Sequence, residues 1–175
     1  MKKVSLIIIA FAFLGLAGQR LNAQELKFGH INTEELIQSL PEYDTAVAHL
    51  ERLGRELSNA LELMQVELNN KSAEYERDAA NWADAVRQNK ENELMDMNRR
   101  IQDFSQTAQQ QYQTRQNELF QPIVAKVDKA INDVGRENGF IYIFVVGGQV
   151  SSVTYFDATK SVDIMPLAKA KLGIR

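Results

Sequence analysis

The stretch from Tyr43 to Glu137 constrains the fold of this chain more than any other, because almost nothing in it breaks a helix. No proline occurs before Pro122, and the only glycines are Gly54 and Gly135. This composition predicts two long helices of roughly 40–48 residues, each about 60–70 Å long at ~1.5 Å rise per residue. Since a helix of a compact domain averages ~11–12 residues, the stretch is expected to form an arm.

Apolar residues recur along this arm at a spacing of eleven. Eleven residues in three turns is about 3.67 per turn, so the packed helices should run nearly straight or with slight right-handed supercoil. Two stripes of equal length flank the polar run 87–92 and would bury each other in an antiparallel hairpin. We expect its tip at about 81–92. The stripe positions are Ala46, Leu50, Leu53, Leu57, Leu61, Met64, Leu68, Ser72, Tyr75, Ala79, Ala83 and Val86, then Met97, Ile101, Phe104, Ala108, Tyr112, Arg115, Leu119 and Ile123.

The second half of the arm carries a glutamine-rich tract. Eight glutamines fall between Gln102 and Gln121, and Arg115 is the only charge from Ser105 to Asn117. Because glutamine is a good helix former and the apolar stripe continues, the tract predicts an uninterrupted helix with a neutral polar face. Pro122 is expected to kink the helix or to mark where the arm meets a base.

The first 23 residues have the pattern of a signal peptide. Lys2 and Lys3 precede an apolar run from Val4 to Ala17, and a small residue at Ala23 marks a cleavage site. The alternative, an uncleaved anchor helix, is disfavoured because the run has 14 residues and a span needs ~20. We expect a periplasmic protein beginning at Gln24, with no stable membrane insertion after cleavage.

Charge and cysteine content exclude several classes of protein. There is no cysteine, so the chain is neither a lipoprotein nor a disulfide scaffold. After removal of residues 1–23 the chain has 17 basic and 23 acidic residues, a net charge of −6. Nucleic acid is therefore disfavoured as a partner, since phosphate binding needs a clustered excess of Lys and Arg.

The residues on either side of the arm predict a small β-rich body. We expect the body to comprise 24–42 and 122–175, and the arm to comprise 43–121. Leu26–Asn32 is predicted to be a strand and Thr33–Leu40 a helix capped by Asn32. Pro41 ends that helix and suits the first turn of the next.

The C-terminal part of the body is predicted to contain a β-hairpin and a last helix. Gly135 and Gly139 are expected to end the second long helix. The apolar run Phe140–Val146 is one strand, Gly147-Gly148 is a turn, and Gln149–Phe156 is a second strand. A loop at Asp157–Ser161 and a helix at about Ile164–Leu172 follow.

The strand at Phe140–Val146 predicts an oligomer. It is apolar at every position, as in strands buried on both faces. The few other elements of the body cannot cover both faces, so strands of several subunits are expected to form a common β-barrel. The fold class is α+β, an oligomeric β-strand body with a long antiparallel helical hairpin. The candidate body residues are Phe28, Ile31, Phe140, Tyr142, Phe144, Val146 and Tyr155.

Four residues of the arm are candidates for contact with a partner. Leu63, Val66 and Met95 fall off the apolar stripe and would form a dilute apolar surface. Trp82 is the only tryptophan and lies near the expected tip. The alternative for Trp82 is structural, since its neighbour Ala83 is a stripe position and the indole could cap the core of the hairpin.

No pattern of catalytic or metal-binding residues is present. His30 and His49 are far apart in the sequence, the carboxylates of Glu34-Glu35 would point to different sides of a helix and give no acid–base pattern, and no Gly-rich loop is followed by Lys-Ser/Thr. We expect a protein that is not an enzyme and that has no cofactor or metal.

The order of these parts resembles the OmpH/Skp family of periplasmic chaperones, particularly its Bacteroidetes-type members. The resemblance covers essentially the whole mature chain. The motifs that carry it are Leu40-Pro-Glu-Tyr43, Gln121-Pro-Ile123 with Lys126 and Ala130-Ile131, Glu137-Asn-Gly139 and Lys171-Leu-Gly-Ile174.

This resemblance implies a trimer with a β-barrel body and three helical arms that holds unfolded outer-membrane proteins without ATP. The best-known members are strongly basic, whereas this chain is acidic, so a lipopolysaccharide site does not carry over and client capture would depend on apolar contact and confinement. Since only the narrow stripe holds each helix pair, the tips are expected to splay at modest cost. Two alternatives remain, a structural coiled-coil envelope protein without chaperone activity and an adaptor of an export pump; the second is disfavoured because the β segments are few.

Overall fold

A computed structural model describes residues 26–148, 151 and 153–174; the expected signal peptide lies outside them. None of the described helices is both long enough and apolar enough to cross a membrane. The strands and helices, in chain order, are β1 (Phe28–Ile31), α1 (Thr33–Gln38), α2 (Pro41–Asp78), a 3-10 turn (Ala79–Asn81), α3 (Asp84–Asn138), β2 (Tyr142–Val145), β3 (Ser161–Asp163) and α4 (Met165–Leu172).

The two long helices lie beside each other. α2 has 38 residues and α3 has 55. Lys126 of α3 bonds Glu42 at the start of α2, whereas Glu93 of α3 bonds Lys71 near its end, both at 2.5 Å. As the residue number in α2 increases, the residue number of its partner in α3 therefore decreases. Between 43 and 123 the buried residues of these helices are stripe positions, namely Ala46, Leu50, Leu68, Met97 and Ile123; farther along α3, Val127, Ala130 and Val134 are buried as well.

The connection between the long helices lies at 79–83. It overlaps the expected 81–92 tip only at 81–83 and begins before it. Trp82 and Ala83 have extended backbone, with ψ of 147° and 149°, and α3 begins at Asp84. The polar run 87–92 is helical, because Arg, Gln, Lys and Glu are good helix formers and polarity alone does not end a helix. The stripe also ends early, since Ala83 and Val86 are exposed.

Helix α3 continues through the glutamine-rich tract, Pro122 and Gly135 as far as Asn138. The tract is helical, as predicted. Gly135 does not end the helix; Gly139 does, with the left-handed φ of 68° that favours glycine.

The sheet has a different topology from the predicted β-hairpin. β1 is central and pairs in parallel with both β2 and β3. Residues 151 and 153–156, expected in a strand, are not in one, and the third strand is β3, which includes Ser161 from the expected loop. Gly147 and Gly148 do adopt positive φ, but a glycine turn does not determine which strand the chain joins next. Residues 149, 150 and 152 are outside the described part.

One face of the sheet packs on the helices. Asn32 caps α1 as predicted, its side chain accepting a hydrogen bond from the Glu35 amide at 3.3 Å. Gly29 allows close packing, because a Cβ there would lie 3.0 Å from Ile164 Cγ2. The buried residues of this core are Ile31, Leu36, Leu40, Ala46, Ile123, Val127, Val134, Ile164 and Ala168.

Candidate functional site

Three of the four candidate contact residues on the arm are exposed. The exposed fractions are 70% for Leu63, 47% for Val66 and 62% for Met95. Val66 and Met95 lie two positions from the nearest stripe residues, and two steps of ~100° turn them away from the partner helix. Leu63 lies beside Met64 of the stripe, and its exposure shows that it too is turned outward. Leu63 and Val66 therefore lie on the outer face of α2, whereas Met95 lies on the outer face of α3. Leu63 and Val66, three positions apart, are neighbours on α2, whereas Met95 lies on the other helix.

Trp82 has a different environment. Its side chain is half-buried, and its ring meets the ring of Tyr75 edge-on with centroids 5.9 Å apart. The ammonium of Lys90 lies 5.8 Å from the indole centroid, within the range of a cation–π contact. This packing favours the structural alternative for Trp82.

Polar contacts join α2 and α3 beside the connection. Tyr75 donates a hydrogen bond to Glu91, and this bond raises the pKa of the Tyr75 hydroxyl. The hydrogen bond from the Lys71 ammonium lowers the pKa of Glu93, and the carboxylate of Glu93 raises the pKa of Lys71. We call this group the tip cluster; it comprises Lys71, Glu74, Tyr75, Lys90, Glu91 and Glu93.

The middle of the arm contains no such polar link. Within the described residues, no side-chain hydrogen bond or ion pair crosses from 43–70 of α2 to 94–125 of α3. Gly54 lies under the ring of Tyr112, whose Cε2 would be 3.5 Å from a Cβ at position 54. A groove of about 580 Å³ lies between the helices here, which we call the amide groove. It is lined by His49, Arg52, Leu53, Glu56, Thr107, Gln110, Gln111, Thr114, Arg115 and Glu118.

The sheet face that does not pack on the helices carries stacked aromatic rings. Phe28, Tyr142 and Phe144 have ring centroids 6.1–6.3 Å apart. Tyr142 is 61% exposed although it lies in β2, at an edge of the sheet. We call these three residues the aromatic cluster.

The other candidate body residues are placed differently. Ile31 is 1% exposed in the core of its own chain. Phe140 and Val146 are half-buried, and Tyr155 is 83% exposed. Sequence reasoning did not single out Ile141 and Val162, which are 50% and 42% exposed in the same body. The sequence signal that could have identified them is that both are apolar residues in or beside short strands of the body.

The histidines have local structural partners. His30 Nδ1 lies 2.9 Å from Ser161 Oγ, and its ring packs on Phe156. His49 Nδ1 lies 2.7 Å from a guanidinium nitrogen of Arg52 on the same helix. In the described ranges, no group of three or more acidic, histidine or cysteine side chains could hold a metal ion.

Comparison with known proteins gives consistent results. The family described as "Outer membrane protein (OmpH-like)" matches residues 27–172. The "Chaperone protein Skp" of Yersinia enterocolitica is 25% identical over 161 residues, covering 91% of this chain and 96% of that protein. The "Chaperone protein Skp" of Photorhabdus laumondii is 25% identical over 136 residues, covering 78% of this chain and 82% of that protein.

Proposed function

Because the chain belongs to the family described as "Outer membrane protein (OmpH-like)", we propose that it is an ATP-independent periplasmic chaperone that binds unfolded outer-membrane proteins and prevents their aggregation. Its similarity to two proteins named as Skp chaperones supports this activity. The observation that carries the proposal is the set of exposed apolar side chains on the long helices, Leu63, Val66 and Met95. Their burial is not needed for the packing of α2 on α3, so they are free to contact another chain.

The chaperone is a homotrimer in this proposal. The body, 24–42 with 122–175, forms a β-barrel with its copies, and the exposed aromatic cluster on the open sheet face supports a contact between subunits. The arm, 43–121, is an antiparallel hairpin, which the opposite numbering of the helix contacts supports. Three such arms would enclose a cavity, and clients would be held there by many weak apolar contacts.

Export and charge complete the proposal. Residues 1–23 direct the chain to the periplasm and are removed near Ala23; intact-mass measurement of periplasmic protein checks this, and a species that retains them contradicts it.

The net charge of −6 after removal means that attraction to acidic clients does not hold the complex. Binding should therefore survive raised salt, because there is little charge attraction to screen over a Debye length of ~8–10 Å.

The test is suppression of aggregation. An outer-membrane porin unfolded in urea is diluted into buffer with and without the wild-type protein, at low and high salt, and light scattering is followed. We expect suppression at both salt concentrations without ATP. If the wild type leaves the porin free to aggregate, the chaperone proposal is wrong and the alternative, a structural coiled-coil envelope protein, is favoured.

A further inference from the structure

We propose that the amide groove binds extended segments of client polypeptide by hydrogen bonds to their backbone. This inference rests on the proposed function and adds a second kind of contact to the apolar ones. The ligand of the groove is a peptide backbone in extended conformation. The affinity would depend little on the side chains of the client.

The first argument is the state of the neutral polar side chains in the groove. Thr107, Gln110, Gln111 and Thr114 are exposed and make no side-chain hydrogen bond to another described residue, whereas some helix amides elsewhere do. For example, Asn98 and Asn132 of α3 each donate to the carbonyl oxygen four residues earlier. The groove therefore presents unpaired donors and acceptors.

The second argument is electrostatic. No charged residue occurs from Phe104 to Thr114, so a peptide can replace water along the α3 wall of the groove without stripping water from an ion on that wall. Of the charged residues that line the groove, Arg115 pairs with Glu118 and Arg52 with His49, each along its own helix, while Glu56 lies on the α2 wall. None of these pairs crosses the groove and closes it.

The third argument is size. The groove extends along α3 from Thr107 to Glu118, about 16 Å at ~1.5 Å per residue. An extended chain rises ~3.3 Å per residue, so the groove has the length of about five residues. Its volume of about 580 Å³ is typical of ligand sites of ~300–1,000 Å³, and Leu53 supplies an apolar contact for one side chain.

The fourth argument is chemical complementarity. An unfolded chain presents one N–H donor and one C=O acceptor per residue, and Gln and Thr side chains both donate and accept. Strands of outer-membrane barrels alternate between apolar and polar residues. A surface that bonds their backbone would accept many such segments, and the exposed apolar residues on the outer faces of the arm could hold their apolar side chains.

The probe is a fluorescent ten-residue peptide of alternating threonine and valine with a lysine at each end. The comparison peptide carries N-methyl groups at alternate residues, which remove backbone donors and keep the side chains. Fluorescence anisotropy with the full-length, assembled protein is expected to show about tenfold tighter binding of the unmethylated peptide, the effect of one or two hydrogen bonds.

The variant Gln110→Leu with Gln111→Leu removes the amides and keeps helix propensity; it should lose most of this difference. The variant Thr107→Val with Thr114→Val removes two hydroxyls with little change of shape and should reduce the difference too. The matched control is Gln109→Leu with Gln113→Leu, two exposed glutamines of α3 outside the groove, which should behave as the wild type. Circular dichroism and light scattering verify that each variant folds and assembles.

Equal affinity of the wild type for the two peptides, or no binding at about 1 mM, would overturn the inference. So would an equal loss in the control variant. The porin assay is separate: if the wild type suppresses aggregation but does not distinguish the peptides, the chaperone proposal stands and the groove does not bind backbone. If the porin aggregates but the peptides are distinguished, the groove is real and the chaperone proposal is wrong.

Discussion

Tyr75 near the end of α2 donates a hydrogen bond to the carboxylate of Glu91, which lies sixteen residues later in α3. The pair spans the connection between the helices, and Lys71 and Glu93 make a second contact of 2.5 Å about one turn away. Side-chain polar contacts between α2 and α3 thus lie at the tip and at the base. The sequence argument expected the tips to splay because only the apolar stripe would hold them, but the tip cluster adds polar contacts that this argument did not include.

Acidification is expected to loosen the tip. The pKa of Glu93 is lowered, chiefly by the hydrogen bond from Lys71. A carboxyl group whose folded pKa lies below its unfolded pKa stabilises the fold above the unfolded value, and this contribution is lost as pH falls through the folded value. The contribution of Glu93 should therefore be present at pH 7 and be lost progressively as the pH falls below the ordinary glutamate pKa and through the lowered one.

The measurement is the melting temperature of the wild type and of Glu93→Gln between pH 3 and 8. The variant should melt below the wild type at neutral pH, and the two should converge at acid pH. An exposed carboxylate outside the tip cluster, changed in Asp103→Asn, is the control and should show a smaller difference. A constant gap between wild type and Glu93→Gln at all pH values would contradict the assignment.

Two glycines are expected to respond in opposite ways to alanine. A Cβ at Gly54 would lie 3.5 Å from Tyr112, an ordinary contact, so Gly54→Ala should stabilise α2 by about 0.5–1 kcal/mol through helix propensity. A Cβ at Gly29 would lie 3.0 Å from Ile164 and 3.2 Å from Phe140. Gly29→Ala should therefore destabilise the body by about 1–3 kcal/mol. Urea unfolding followed by circular dichroism checks both, and destabilisation by Gly54→Ala would contradict the packing described.

Much of the arm could be predicted from the sequence, because helix propensity and an apolar stripe are local signals. Buried Leu68 and Met97 lie on that stripe, and exposed Leu63 and Met95 lie off it. The sheet could not be predicted in the same way. β1 pairs with β2, which lies more than 100 residues later in the chain, and only tertiary packing specifies that pairing. The Gly147-Gly148 signal predicted a hairpin turn; both glycines have positive φ and lie in a bend, but no hairpin forms among the described residues, because β2 and β3 both pair with β1.

In the candidate site, too, local patterns predicted some features, whereas others depend on tertiary packing. Exposure of Leu63, Val66 and Met95 followed from their helical positions. Packing of Trp82 on Tyr75 depends on where the connection between the helices lies. The prediction from the polar run 87–92 placed that connection too late in the chain. The amide groove depends on the separation of two helices, and no residue pattern gives that distance.

A charge in the aromatic cluster is expected to prevent assembly. Tyr142 is 61% exposed in the single chain, so Tyr142→Asp should leave the protomer folded. In a subunit interface the same carboxylate would be buried without a partner, at a cost of several kcal/mol. Light scattering should show a trimer for the wild type and a folded monomer for the variant. The control Leu63→Asp places a charge on the arm and should remain trimeric; a trimeric Tyr142→Asp variant would exclude this face as the interface.

Removal of the exposed apolar side chains from the arm is expected to weaken client binding without affecting the fold. The triple variant Leu63→Ser, Val66→Ser and Met95→Ser changes residues that are 47–70% exposed, so little stability should be lost. Each apolar side chain buried against a client would contribute up to about 1.5–3 kcal/mol, so aggregation of the diluted porin should need a several-fold higher concentration of the variant for equal suppression. Trp82→Ser is the comparison, because it should lower the melting temperature by removing the contact with Tyr75. A triple variant as effective as the wild type would show that other residues of the arm hold the client.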